Sequence, residues 1–176
     1  MAFLRRTLFL CSLLACFACG WGAIGAAAEQ GQKPSSGALA SCAQRLVVCD
    51  AHNAVLLRRV FPDGASFGIR FIHSVAKSPV IDWFVARQGV LQLDRTVYQD
   101  FGAGLPHSPE QGQRMEQRDG HVIISGYAMA LPRFDVRVGR VAQHTLLLPE
   151  TWEAIPLDTL AAQGAALTFS LEQAGK

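Results

Sequence analysis

Two short stretches of the chain combine residue types that could do chemistry. In the first, a histidine and a serine stand together where an apolar strand pattern ends, in Phe71-Ile72-His73-Ser74-Val75-Ala76-Lys77-Ser78-Pro79-Val80. The second is the glycine-containing stretch Phe101-Gly102-Ala103-Gly104-Leu105-Pro106-His107. An imidazole and a hydroxyl are the groups of nucleophilic catalysis, and closely spaced glycines let a backbone approach a ligand or another element. We therefore look first for a site that contains both stretches.

A catalytic pair of His73 and Ser74 meets a geometric objection. Neighbouring residues of a strand point to opposite faces, so the two side chains cannot meet if one strand runs through both. A turn that begins at Ser74 would remove this objection, and Pro79 indicates that the chain turns soon afterwards. The alternative is that the Ser74 hydroxyl caps the turn while His73 bonds to buried backbone carbonyls. Both interpretations remain open at this point.

Metal binding and phosphate binding have weaker support in the sequence. Residues His73, Asp82, His107 and His144 could ligate a metal from separate strands and loops, but no pair has the close spacing of known zinc motifs. The glycine-containing stretch is not followed by a predicted helix, which a dinucleotide fingerprint requires. The sequence therefore indicates no metal and no cofactor. The remaining histidines, His52 and His121, fall at predicted turns.

The N-terminal segment has the features of an export signal. Arg5 and Arg6 precede an apolar run from Thr7 to Gly20, and the small residues Ala26-Ala27-Ala28 supply a cleavage site. We expect residues 1–28 to be a signal peptide that is removed. An uncleaved membrane anchor is the second interpretation. The third is lipidation of Cys16 in the lipobox-like Leu13-Leu14-Ala15-Cys16.

The composition after this segment restricts the partners. Both Arg5 and Arg6 lie in the signal segment, so the rest of the chain has equal numbers of acidic and basic residues. A nucleic-acid partner would favour a basic surface, so we expect none. Of the five cysteines, only Cys42 and Cys49 follow the signal, and a strand near Cys49 would hold their α-carbons too far apart for an easy disulfide.

The remaining chain reads as a tether followed by one β domain. Residues 29–43 are polar and contain Gly, Ser and Pro, which is typical of a flexible linker. From residue 44 to 173 the apolar residues alternate with a period of two, between turn signals such as Pro62-Asp63-Gly64 and Asp119-Gly120. About ten short strands are predicted, with one helical turn near 156–162. This pattern predicts an all-β antiparallel sandwich or a partly closed barrel.

The two stretches also carry a family resemblance. With Leu46-Val47-Val48-Cys49-Asp50 at the start and Val138-Gly139…His144-Thr145-Leu146 near the end, the chain resembles domain-of-unknown-function family 1850, which consists of small exported bacterial proteins. Genes of that family often lie beside TRAP-type transporters of the TAXI class. The family prefers a glutamate where this chain has Asp82. The resemblance implies an association with the uptake of organic acids or similar solutes, and it implies no reaction; with the export signal, we expect a periplasmic location.

Three functional hypotheses follow from these observations. The first is a non-enzymatic periplasmic accessory domain that binds a TRAP/TAXI solute-binding protein, the membrane subunits or a small organic anion. The second is a hydrolase or metal-dependent enzyme that uses His73 with Ser74, Asp82 or His144. The third is a purely structural envelope protein. The hypothetical binding residues are His73, Ser74, Lys77, Asp82, Phe101, Gly102, Gly104, His107 and His144.

Overall fold

Alternating apolar residues build twelve strands in the computed structural model, which describes residues 44–99, 104–127 and 129–173. These residues fall within one compact unit, Ala38–Lys176. The strands are β1 Gln44–Cys49, β2 Val55–Val60, β3 Ser66–Ile72, β4 Pro79–Arg87, β5 Val90–Tyr98, β6 Arg114–Arg118, β7 His121–Ser125, β8 Ala130–Leu131, β9 Arg133–Arg137, β10 Thr145–Leu148, β11 Glu153–Pro156 and β12 Ala166–Gln173. A 3-10 turn, Leu157–Thr159, follows β11.

The strands form two antiparallel sheets. The small sheet has the order β2-β1-β12-β9, so the last strand of the chain lies between the first strand and β9. The large sheet has the order β11-β10-β3-β4-β5-β7-β6, and the short strand β8 pairs with β5. Because β9 pairs only with β12 among the described strands, it forms one edge of the small sheet.

The main core lies where the two sheets face each other, and it is built around aromatic rings. The Phe67 ring, which is fully buried, stacks at 5.2 Å on Phe84 and at 5.9 Å on Phe169. On the small sheet, Phe134 stacks at 4.4 Å on Phe84 and at 5.2 Å on Phe169. These contacts tie β9 and β12 to the inner face of β3 and β4, and burial of this aromatic area is the main stabilising term.

A second, smaller core lies further along the inner face of the large sheet. It comprises Val80, Tyr98, Leu105, Val122 and Ile124. Its cover includes the loop that begins at Gly104, because the Leu105 side chain is buried there. The inner face of the large sheet thus has two apolar clusters, and the small sheet covers the first of them.

The fold agrees with the prediction from the sequence. The described residues form an antiparallel all-β sandwich and not a closed barrel, and they contain no α-helix. The predicted hairpin around Asp119-Gly120 is present as β6 and β7, and the predicted helical turn is the 3-10 turn. Strands β8 and β11 were not among the predicted strands. Within the described residues, no helix has the length and apolarity needed to cross a membrane.

Several predictions concern residues that the structure does not describe. The signal peptide with its lipobox at Cys16 and the tether at 29–43 lie outside the described residues, and so does Cys42. Cys49, at the end of β1, is half-buried and forms no disulfide with any described residue.

Candidate functional site

The register of the large sheet places Asp82 on its inner face between the two apolar clusters. Strand pairing sets Asp82 directly opposite Ile69 on one side and opposite Thr96 on the other. Directly opposite residues share a face, so all three point toward the small sheet. Asp82 therefore occupies a position on the inner face of the sheet where a core would ordinarily have an apolar residue.

The Asp82 carboxyl is held by a short hydrogen bond. The Thr96 hydroxyl donates to Oδ1 of Asp82 at 2.6 Å. Burial raises the pKa of Asp82, and the bond from Thr96 offsets part of this effect because it favours the charged form. The phenol of Tyr127 interacts with Thr96 and Asp82, and burial is the main cause that raises the pKa of this phenol. Asp82, Thr96 and Tyr127 thus form a connected polar chain within the apolar face.

His144 lies near these three polar residues, and one nitrogen of its ring makes no hydrogen bond to the described residues. Its ring packs against Phe71 with the centroids 5.8 Å apart. The buried Nδ1 has no hydrogen-bond partner among the described residues, and a Cβ added to Gly139 would lie 3.8 Å from it. Burial lowers the pKa of His144 below its ordinary value, which favours the neutral imidazole. A buried nitrogen without a partner costs free energy unless a ligand or water satisfies it.

Asp82 and His144 line one cavity of about 390 Å³ at the side of the sandwich. Its apolar lining comes from Ile69, Phe71 and Phe84 of the large sheet, and β9 forms the opposite wall through four consecutive residues, 134–137. This volume falls near the lower end of the range for small-molecule sites. The cavity combines an apolar lining with a carboxyl group and an imidazole, and one wall is an edge strand.

The backbone of β9 presents hydrogen-bonding groups toward this cavity. The amide of Val138 donates to the carbonyl of Ala165, on the β12 side. In an antiparallel ladder the backbone groups of successive residues point alternately to the two sides. Val136 and Phe134 therefore bond to β12, while the N–H and C=O groups of Asp135 and Arg137 point to the free edge.

His73 lies beyond Phe71 at the end of β3, next to the glycine-containing stretch. Its side chain is half-buried, and a Cβ added to Gly104 would lie 3.9 Å from its Nε2. Its Nδ1 accepts a hydrogen bond of 3.1 Å from the amide of Ala76. Nδ1 must be unprotonated to accept this bond, so the neutral ring carries its proton on Nε2. The described part of the glycine-containing stretch, which begins at Gly104, thus lies beside the strand end.

Tyr98 fixes the position of this loop. Its side chain is fully buried, and its hydroxyl donates a hydrogen bond of 2.6 Å to the carbonyl of Pro106. The buried Leu105 anchors the same segment from the other side. A hydrogen bond and an apolar anchor on adjacent residues hold Gly104 against His73.

The predicted site residues divide between two neighbouring places. Asp82 and His144 line the cavity, whereas His73 and Gly104 meet at the strand end, and Phe71 lies between the two places. Three further members of the set, Ser74, Lys77 and His107, are exposed. The last two, Phe101 and Gly102, lie outside the described residues.

Ser78 also belongs to this region, although it was not among the binding residues predicted from the sequence. The amide of His73 donates to the carbonyl of Ser78 at 3.0 Å, so the two residues face each other across the β3–β4 turn. Ser78 is only 7% exposed, and its Oγ has no partner among the described residues. The serine that lies opposite His73 is therefore Ser78, and Ser74 is exposed on the turn.

The part of the chain that the structure describes offers no metal site. No group of three or more His, Cys, Asp or Glu side chains is arranged there to hold a metal ion. The scattered set of His73, Asp82, His107 and His144 does not converge on one point, since only Asp82 and His144 line the same cavity. The described geometry thus gives the metal-dependent alternative no support.

The fold and the cavity define a class: an antiparallel β-sandwich with an apolar side cavity that contains a carboxyl group and an imidazole. Residues 67–153 match the family model described as a domain of unknown function, DUF1850, and the chain is a member of this family. The match runs from β3 to the beginning of β11, so it includes the cavity residues of both sheets. No curated protein and no solved structure matches the chain.

Proposed function

We propose that this protein is a non-enzymatic binding domain, exported to the periplasm, that serves a TRAP/TAXI-type solute transporter. Its binding site is the cavity beside β9. The partner is the solute-binding protein or a membrane subunit of the transporter, and a small organic anion is the alternative ligand. The observation that carries the proposal is that the side chains of Asp82 and His144 line one cavity, where the carboxyl of Asp82 is partly desolvated.

Burial of these two polar groups carries a desolvation cost. Each is removed from water in the folded domain, and only Asp82 recovers a strong hydrogen bond, from Thr96. A ligand that offers a donor or acceptor to the remaining atoms regains part of the desolvation cost on binding. The apolar side chains around them, Phe71, Phe84 and Ile69, supply the hydrophobic contact area.

The tautomer of His73 favours binding over catalysis. A serine nucleophile needs a neighbouring imidazole nitrogen that is free to accept its proton, with a third group orienting the ring. Here Nδ1 is occupied by the amide of Ala76, and the neutral ring carries a hydrogen on Nε2. The remaining nitrogen, Nε2, of the neutral ring can then donate a hydrogen bond but not accept a proton, which suits a structural or binding role.

A retention experiment with the neighbouring transporter proteins tests the proposal. The protein, expressed with its complete N-terminal segment, is immobilised and offered the purified solute-binding protein and the detergent-solubilised membrane subunits. Val136→Trp fills the cavity from β9, and Val60→Trp is the matched control on β2, the opposite edge strand, where Val60 is 70% exposed. Thermal unfolding confirms that both variants fold, and Val136→Phe replaces the larger substitution if that variant does not.

We expect the wild type and Val60→Trp to retain one transporter component and the cavity variant to lose at least about tenfold in affinity. Failure of the wild type to retain any component contradicts the transporter assignment. Equal retention by all variants contradicts the cavity as the site. Isothermal titration with small dicarboxylates then distinguishes a solute from a protein partner.

A further inference from the structure

We propose that the cavity receives an extended polypeptide segment, which adds to the free edge of β9 as a fifth strand of the small sheet. This inference rests on the proposed function in using the same cavity, and it names the class of partner. The partner contributes a strand of alternating apolar and charged residues. Strand addition to an exposed edge uses main-chain hydrogen bonds for affinity and side-chain pockets for specificity.

The two edge strands of the small sheet, β2 and β9, differ in what lies between them and the large sheet. On the β2 edge, Arg59 reaches Glu153 of β11 with an Nε–Oε2 distance of 3.4 Å, so an ion pair bridges the two sheets there. On the β9 edge the cavity opens between the sheets, and residues 134–137 line it. Charged side chains, which β9 carries at Arg133, Asp135 and Arg137, are one way in which proteins limit non-specific pairing at an edge. The backbone groups of this edge nevertheless have no partner strand among the described residues, so a strand of complementary charge can pair with them.

The surface beneath the open edge is suited to a strand. Neighbouring strands lie about 4.8 Å apart, so a fifth strand beside β9 would run along the cavity above Ile69, Phe71 and Phe84. Every second side chain of that strand would enter the cavity. The volume of about 390 Å³ suffices for a few medium-sized apolar side chains. A free solute would leave the edge carbonyls and amides of Asp135 and Arg137 unused.

The solvent side of β9 defines the charge pattern of the partner. Its sequence Arg-Phe-Asp-Val-Arg (Arg133–Arg137) alternates charged residues outside with apolar residues inside. Directly opposite residues share a face, and opposite charges stabilise such pairs. The Asp135 carboxylate accepts a hydrogen bond of 2.6 Å from the Thr168 hydroxyl, and the Arg137 guanidinium donates one of 2.7 Å to the Gly164 carbonyl, so both side chains are held on the β12 side but keep their charges. A partner strand therefore favours acidic residues opposite Arg133 and Arg137, a basic residue opposite Asp135, and apolar residues between them. The motif is Glu-Val-Lys-Val-Glu, which fits in either strand direction.

The polar groups of the cavity add one further preference. An inward side chain with an apolar body and a hydroxyl tip, such as tyrosine or threonine, can place its hydroxyl near Asp82 or His144. That hydroxyl can donate to the carboxylate of Asp82, which lines the cavity. We therefore expect a version of the motif with one inner valine replaced by tyrosine to bind more tightly.

Synthetic peptides test strand addition without any transporter protein. A fluorescein-labelled nonapeptide that contains Glu-Val-Lys-Val-Glu is titrated with the purified protein, and binding is followed by fluorescence anisotropy up to about 1 mM protein, the limit for weak complexes. Two N-methylated versions carry the methyl groups on alternate residues, so that only one version blocks the amides that face β9. A charge-reversed peptide, Lys-Val-Glu-Val-Lys, is the control for charge.

We expect one N-methylated peptide to bind at least about tenfold more weakly than the parent, while the other binds within about twofold of it. The charge-reversed peptide should also bind more weakly. Equal effects of both N-methylations, or no binding of the parent, overturn strand addition. Protection of the β9 edge amides already in the free protein would identify the chain's own N-terminal segment or a second copy as the occupant, and it would overturn the partner strand.

The two proposals fail separately in this design. If the peptides do not bind but the transporter protein is retained in a cavity-dependent way, the cavity stands as the site and strand addition falls. If the peptides bind with the alternate N-methyl pattern but no transporter component is retained, strand addition stands and the transporter assignment falls.

Discussion

The substitution Thr96→Val tests the electrostatics of the cavity. Thr96 is 8% exposed, and its hydroxyl donates to Asp82 at 2.6 Å. Valine keeps the branched shape but removes the donor. A hydrogen bond to a charged group contributes about 1.5–3 kcal/mol, and a bond between neutral groups about 1 kcal/mol. We expect the variant to lose about 2 kcal/mol of unfolding free energy near neutral pH and about 1 kcal/mol where Asp82 is protonated.

The direction of the pH dependence follows from the raised pKa of Asp82. Because the folded state binds this proton more tightly than the unfolded state, the group stabilises the fold at low pH, and this contribution is lost as the pH rises through the folded pKa. Thr96 lowers the pKa of Asp82, so its removal raises this pKa further and makes the total loss of stability between low and neutral pH larger. The interaction between Thr96 and Tyr127 is also changed, but both groups are neutral and this change is the same at both pH values.

Urea unfolding at the two pH values measures both quantities. Asp82→Asn is the matched control, since the amide oxygen still accepts from Thr96 but carries no charge. Thr96→Val should cost about 1 kcal/mol in the Asp82→Asn background at either pH, because the remaining bond is neutral. An equal loss for Thr96→Val at both pH values in the wild-type background would refute the assignment of a charged, partly buried Asp82.

Two further predictions concern packing, and urea unfolding measures both. Phe134→Ala removes the ring that stacks at 4.4 Å on Phe84 and should cost about 3 kcal/mol, whereas a loss below about 1 kcal/mol would contradict the role of β9 in the core. Gly126→Ala should cost about 3 kcal/mol, because φ is +83° and the new Cβ would lie 2.7 Å from the carbonyl oxygen of Gly112. At Gly120, with φ +75° and open space, alanine should cost only about 1 kcal/mol, and equal losses at the two glycines would contradict the contact.

Local alternation was enough to predict the fold class and the position of His73. The apolar residues Phe67, Ile69 and Phe71 define the inner face of β3, and His73 continues that face by two residues. The structure places it half-buried beside Gly104. The contact with Gly104 is a long-range feature that period and turn signals do not determine.

The cavity itself could not be predicted in this way, because it depends on long-range pairing. Nothing in the alternation shows that β12 inserts between β1 and β9, and this insertion makes β9 an edge. The contact between Thr96 and Asp82 likewise depends on a register between β4 and β5 that includes an irregularity after Trp83. Periodicity identifies strands and faces but leaves strand order and register undetermined.

Ser78 was missed for a different reason. The β3–β4 turn closes with Lys77 at φ 57°, a left-handed conformation that a lysine rarely adopts and that no local signal predicts. This conformation sets the length of the turn, so that Ser78 and not Ser74 lies opposite His73. Knowledge of the turn conformation would have corrected the pairing.

Residue-resolved amide hydrogen exchange, recorded with and without the retained transporter component, tests the central claim most directly. In the free protein the amides of Asp135 and Arg137 face the open edge and should exchange quickly, while that of Val138, bonded to Ala165, should exchange slowly. We predict that the partner slows exchange at Asp135 and Arg137 selectively. Unchanged exchange at these two amides, with new protection confined to another surface such as the exposed turn at Trp152, would contradict binding in the cavity.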